Sequence, residues 1–383
     1  MVRPRNSTAG AALPCTRREA LRAALATAVI AGARPLRAGM QPADGPGRFL
    51  SARSHGTAHE AVLLDATGRD VAVLPLPDRG HSFAIDRARQ RAVVFGRQPG
   101  FFALVFDLRD GRQLAALPLP EGRHFFGHGV FSLAGDRLYA TENDFEAGRG
   151  VIGVYDARPG ANWQRLGEFD SGGIGPHEVV LLPDGNTLCV ANGGLLTHPD
   201  YGKATLNLAT MRSSLALLDA RDGRLLVNRT LPPELFQLSI RHLALDAGGA
   251  VWFACQHQGP ASERPPLVGR QRSGMELELF SAPPAIQREL RNYIGSIAAD
   301  PQRGLIATSS PVGGHIAWWS TYDARCLGST PRPDGCGVAS LGDGRFLVSD
   351  GFGGLATAGP ADRPQVLPAT TQGGAWDNHL RTT

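Results

Sequence analysis

The chain of 383 residues is 42% hydrophobic and only 19% charged, with 48 Gly and 28 Pro, which argues against long helices and for many short strands joined by tight turns. Its formal charge of +4 comes from the N-terminus: residues 1–38 hold seven Arg and one Glu, leaving the rest with 32 basic and 34 acidic side chains, a net −2. No basic face remains for phosphate binding, so a nucleic-acid partner is not expected.

The first element is Thr16-Arg17-Arg18-Glu19-Ala20-Leu21, followed by an apolar run from Ala23 to Ala33, then Arg34, Pro35 and the small residues Ala38 and Gly39. A charged segment, a short apolar segment and a small-residue exit read as a signal peptide. The apolar run is far short of the ~20 residues that cross a bilayer as a helix. Its mild hydrophobicity suits the twin-arginine route. The expectation is a cleaved segment over 1–38, with cleavage after Ala33 or Ala38, and a single domain over 39–383. The mature protein is then periplasmic, monomeric and without a membrane span; the alternative is an N-terminal helix that happens to contain Arg-Arg. Cys15 leaves with the leader, so Cys189, Cys255, Cys326 and Cys336 allow at most a sparse set of disulfides.

From residue 48 onward three strands are predicted, over 48–53, 60–65 and 70–76. A phrase ending in Asp and turn residues then recurs, at Asp65, Asp107, Asp156, Asp219 and Asp323. These positions are separated by 42, 49, 63 and 104 residues, the last equal to two units of 52. A period of roughly 40–50 residues is that of four-stranded propeller blades. A second phrase recurs between them and opens a strand at His81, His128, His177, His242, Gly295 and Cys336. Trp376–Leu380 supplies a seventh such strand and completes the blade begun at residue 48, joining the chain ends and removing exposed sheet edges. The predicted fold is therefore all-β, a seven-bladed β-propeller; a β-sandwich or a smaller propeller is the alternative.

The start of each innermost strand of a propeller faces the central channel, which places His81, His128, His177, His242, His379 and Cys336 on one ring. Imidazole and thiolate are the preferred ligands of copper, zinc and iron, so the ring predicts a transition-metal or metal-cofactor site. A metal-free polar pocket and a structural role are the other readings. Cys336 has a competing use in a disulfide with Cys326. Glu178, Arg241, Glu142 and Asn143 lie beside the ring positions as supporting or acid–base groups. Two long connections, 192–212 with Asn192 and His198, and 256–274, are expected over one face. No G-x-S-x-G, H-E-x-x-H or phosphate-binding Gly motif occurs.

Gly127-His128-Gly129, Gly175-Pro176-His177-Glu178, Ala191-Asn192-Gly193-Gly194, Thr197-His198-Pro199-Asp200, Leu206-Asn207-Leu208 and Ser239-Ile240-Arg241-His242-Leu243-Ala244, with the twin-arginine leader, resemble the proteobacterial domain-of-unknown-function family 1513. That resemblance implies a periplasmic, propeller-like protein found beside imelysin-type iron-uptake components, and it supplies no catalytic residues. The expected function is metal binding through the His ring in iron or copper acquisition, with an iron-uptake or redox protein as partner. The alternatives are a metal-dependent lactonase-like hydrolase or lyase, and a non-enzymatic propeller that binds proteins through its rim.

Overall fold

Short apolar runs separated by Gly- and Asp-containing turns fold into seven antiparallel four-stranded sheets, a seven-bladed β-propeller. The computed structural model describes residues 47–202, 204–368 and 374–383; the expected export segment at 1–38 lies outside the described residues. The innermost strands are Gly80–Asp86, Arg123–Phe131, Pro176–Leu181, Leu238–Leu245, Ser296–Asp300, Gly335–Ser340 and Ala375–Thr382, in blades two to seven and then blade one.

Blade one is closed as its pattern requires. Its outer three strands, Phe49–His55, Ala58–Leu64 and Asp70–Leu76, come from the start of the described chain, and the C-terminal strand pairs antiparallel with the first of them, Phe49 opposite Thr382 and Ser54 opposite Ala375. The recurring Asp phrase makes the hairpin from the third strand of a blade to its outermost strand. In three successive blades the carboxylates of Asp107, Asp156 and Asp219 accept both the backbone N–H and the Nε–H of the Arg two residues on, at 2.8–3.0 Å. This local clamp holds the turn where the strand apolar pattern stops.

The core is a chain of blade-to-blade interfaces. Phe95, Phe125 and Tyr155 pack between blades two and three; Tyr139, Val190 and Ala216 between blades three and four; and Trp252, Phe253 and Trp319 within the large cluster around blade five. Trp318 meets Phe346 with ring centroids 5.6 Å apart across blades six and seven. Phe49, Leu347, Trp376 and Leu380 close the circle between blades seven and one. Glu142, fully buried in blade three, accepts from Tyr155 Oη at 2.7 Å and Arg165 Nη2 at 2.8 Å, so it is a satisfied core ion pair, not an acid–base group of the channel.

Two expectations change. The connection after residue 256 is shorter than expected, because the chain returns to a strand at Val268–Gln271. The connection after Asn192 contains a 3-10 turn, Pro199–Tyr201, and lies against blades two and three through Gln98 Nε2 to Thr197 Oγ1 at 3.0 Å and Asn143 Nδ2 to Thr197 O at 3.1 Å. Helix is confined, among the described residues, to Pro284–Glu289 and two 3-10 turns. No helix of the described residues is long and apolar enough to cross a membrane.

Candidate metal centre

Blades two to five each deliver a channel His through an irregularity near the start of the innermost strand. The pairing register shifts between Gly80 and Phe83, Phe125 and Gly129, Pro176 and Glu178, and Ile240 and His242. A bulge sets two residues against one and re-aims a side chain; that is how the neighbours His177 and Glu178 both reach the channel. Glycine permits the close approach. Gly127 has φ +103°, and a Cβ there would meet His81 Cδ2 at 2.5 Å, so the inner strand of blade three passes His81 only without a side chain.

The five imidazoles of His81, His128, His177, His242 and His379 converge. Ring centroids are 4.5 Å apart for His81–His379, 4.7 Å for His177–His242, 4.8 Å for both His128–His379 and His242–His379, and 5.1 Å for His128–His177. All five are buried. Two groups, His81, His128, His177 and His128, His242, His379, place one ring nitrogen of each member within 4.8 Å of the others. His81 Nε2 and His379 Nε2 are 3.3 Å apart. Two nitrogens bonded at ~2.0–2.1 Å to one tetrahedral ion stand ~3.3–3.4 Å apart, so this edge already has the required length.

The orientation of the rings is set from behind. His81 Nδ1 lies 2.8 Å from Asp377 Oδ1; a carboxylate only accepts, so Nδ1 carries the proton and Nε2 keeps its lone pair. His242 Nδ1 faces Glu178 Oε2 at 3.4 Å. His128 Nδ1 lies 3.6 Å from Glu178 Oε1 but 3.4 Å from Arg381 Nη2; a guanidinium only donates, so this Nδ1 accepts and the His128 proton sits on Nε2. His379 Nδ1 faces Ser296 Oγ at 3.5 Å. Carboxylates and hydroxyls behind the imidazoles are the arrangement that fixes tautomers in metal sites. His128 Nε2 and His177 Nδ1 are buried without a hydrogen-bond partner among the described residues.

Burial holds all five imidazoles below the ordinary value, His242 to about 4, so they are neutral and able to donate to a metal near pH 7. Burial alone would raise the two carboxylates, but cations hold both well below the carboxylate range: Arg97 chiefly for Asp377, Arg381 chiefly for Glu178. Arg97 Nη1 reaches both Asp377 oxygens at 2.8 Å, and Arg381 donates to Glu178 Oε1 and, through Nε, to Ser82 Oγ at 3.1 Å.

The other expected site residues divide. Glu178 stands within the cluster, and Arg241 beside it, close enough to depress His177 electrostatically. Cys336 does not join the imidazoles: the register shift between Gly335 and Val338 turns its Sγ back to Asp334 O at 3.1 Å, and burial raises the thiol. Cys326 and Cys336 are unpaired. Cys326 opens the outermost strand of blade six, Cys326–Pro331, and Cys336 lies on the innermost strand of blade seven, Gly335–Ser340. Asn192 is tied into the blade four seam, donating to Ser171 O at 2.8 Å. His198 stays on its connection, its ring 5.0 Å from that of Phe145 and its Nδ1 accepting from Asp200 N. Asp377, Arg381, Ser296, Ser82 and Arg97 also belong to the site, although the recurring phrases do not single them out. Asp377 and Arg381 flank His379 at two residues on either side, and strand periodicity alone puts all three on one face.

A family model described as "Protein of unknown function (DUF1513)" matches residues 74–383. No curated protein sequence matches the chain. Among solved structures, Kuenenia stuttgartiensis hydrazine synthase aligns with a TM-score of 0.60 and 14% identity, covering 85% of this chain and 99% of that one; at that identity the likeness is one of fold alone.

Proposed function

The chain belongs to the DUF1513 family of proteins of unknown function, and from that premise we propose that it binds a transition-metal ion through the imidazoles of its central channel. One observation carries the reading: five buried imidazoles converge on the channel axis, and two groups of three place one ring nitrogen of each member within 4.8 Å of the others. All-imidazole sets select copper, zinc or iron over hard cations. The lactonase-like reading, which needs carboxylate and amide oxygens around a hard cation, has less support, because both candidate groups are built of His only. Iron or copper acquisition in the periplasm, with an iron-uptake or redox partner, is the physiological setting that the family resemblance favours.

The test is metal content after loading with Cu²⁺, Zn²⁺ or Fe²⁺ and desalting. Wild type should retain about one equivalent. His128 is shared by both groups, and His128→Ala should weaken binding by more than the ~10–100-fold typical of losing a supporting residue. Equal retention by both proteins overturns the proposal; uptake of Ca²⁺ alone favours the lactonase-like reading.

Export is proposed with it. Replacing Arg17 and Arg18 by Lys should leave precursor in the cytoplasm, measured by fractionation, because that receptor reads the Arg pair; undiminished periplasmic yield would show that the leader uses another route.

A further inference from the structure

One guanidinium of the channel is left without a carboxylate. Asp377 takes both Arg79 at 2.9 Å and Arg97 at 2.8 Å, and Asp350 takes Arg332 at 2.6 Å. Deeper in, Glu178 takes Arg381. Arg241 has no acidic partner among the described residues, and its Nε is buried with no hydrogen-bond partner among them.

The surroundings of Arg241 are those of a binding group, not of a surface residue. It precedes His242 on the inner strand of blade five, at the register shift that sends both residues to the channel. Its stem lies against Gly193, where a Cβ would stand 3.5 Å from Arg241 Cδ, so the connection after Asn192 backs it and fixes its direction. Its charge acts on His177, whose Nδ1 is also without a partner among the described residues. Arg241 and His177 thus stand on neighbouring inner strands beside the His177–His242 pair, whose ring centroids are 4.7 Å apart, and each carries a buried nitrogen without a partner among the described residues. A guanidinium without a carboxylate is retained where an anion answers it, and its fork matches two oxygens of a carboxylate or oxyanion.

We propose that Arg241, beside His177, forms an anion subsite at the channel mouth that takes a small carboxylate or oxyanion and holds it against the metal. The second half rests on the metal-binding reading; the subsite itself does not. Neutral imidazoles would leave the charge of a bound dication uncompensated, and an anionic oxygen-donor ligand held by Arg241 would complete its coordination sphere.

The experiment is thermal melting of metal-free protein with phosphate, bicarbonate or citrate, each against chloride at equal ionic strength, since a ligand of the native state raises the melting temperature. At least one of the three should raise it in wild type with saturation. Arg241→Met, and Arg241→Gln should the first fail to fold, should weaken that binding at least ~10-fold, because charge-assisted bidentate contacts are the strong ones. No saturable shift in wild type, or equal affinity in the variants, overturns the subsite. This arm contains no metal, so failure of the imidazoles to bind copper or zinc leaves its outcome unchanged and counts against the metal reading alone. On Cu²⁺-loaded protein the same anion should shift the copper absorption band in wild type; a band that does not move overturns its role as co-ligand.

Discussion

Deleting residues 375–383 should abolish folding, leaving protein that is insoluble or degraded. The lost segment is the innermost strand of blade one. It supplies Trp376 and Leu380, 4% and 3% exposed, to the cluster with Phe49 and Leu347, and it pairs with Phe49–Ser54 along its length. Ser51 Oγ also donates to His379 O at 2.7 Å. Loss of the Trp376 side chain alone costs about 3–5 kcal/mol. Removing Asp377 and Arg381 also takes the ion-pair partners of Arg97 and of the buried Glu178, and breaking a buried pair costs about 3–5 kcal/mol. Together the two terms are of the size of the ~5–15 kcal/mol that holds a typical domain folded, before the newly opened sheet edge is considered. Solubility and melting of the truncated chain check this directly. A truncated protein that melts cooperatively near the parent's temperature would refute the closure as the basis of stability.

That closure was legible because blade one announces a deficit: three strands, Phe49–His55, Ala58–Leu64 and Asp70–Leu76, precede the first His-led strand, and a propeller cannot leave that gap. The imidazole ring was legible for a related reason. The four-strand period returns the chain to the axis once per blade, so His81, His128, His177 and His242 share a register although 47, 49 and 65 residues separate them in turn. Cys336 shares the register in sequence but not in space, because one bulge residue redirects a side chain and no periodicity announces where it falls. Asn192 and His198 failed differently, since they sit in a connection whose path is decided by contacts to Gln98 and Asn143 from other blades. The pairings His81–Asp377 and Glu178–Arg381 join residues 296 and 203 positions apart; only the closed ring brings them together.

The channel is built so that polar groups determine its state in layers. Asp377 with Arg79 and Arg97 holds the outer end, Glu178 with Arg381 the inner end, and neutral imidazoles fill the space between. The carboxylates are ionised and compensated; the imidazoles are uncharged and, at His128 Nε2, unsatisfied. Such a centre spends stability on readiness to bind, as functional sites commonly do. Its stability should therefore depend steeply on proton concentration.

Acidifying the metal-free protein from pH 7 to pH 5 should lower its stability by about 4 kcal/mol or more, roughly 10 °C in melting temperature. The sign follows from the imidazoles. Burial depresses His242 and the separate, buried His124 to about 4, whereas the unfolded chain titrates near ~6.5. The stability they contribute is fully present above the unfolded value and is lost as pH falls through the folded one, because between the two the unfolded state takes up protons that the native state refuses. Each contributes about 2 kcal/mol of the loss at pH 5, and His81, His128, His177 and His379 shift in the same direction. Asp377 and Glu178 are also depressed, but their share is lost only below the ordinary carboxylate range near ~4, so the window from pH 6.5 to 4.5 belongs to the imidazoles. Bound Zn²⁺ or Cu²⁺ should raise the curve at pH 7 and make it fall more steeply, since protons compete with metal for the same nitrogens, until loaded and metal-free curves meet in acid. A melting temperature flat from pH 7 to 5 would overturn the neutral-imidazole channel. Loaded and metal-free curves that stay parallel across that range would place the metal elsewhere.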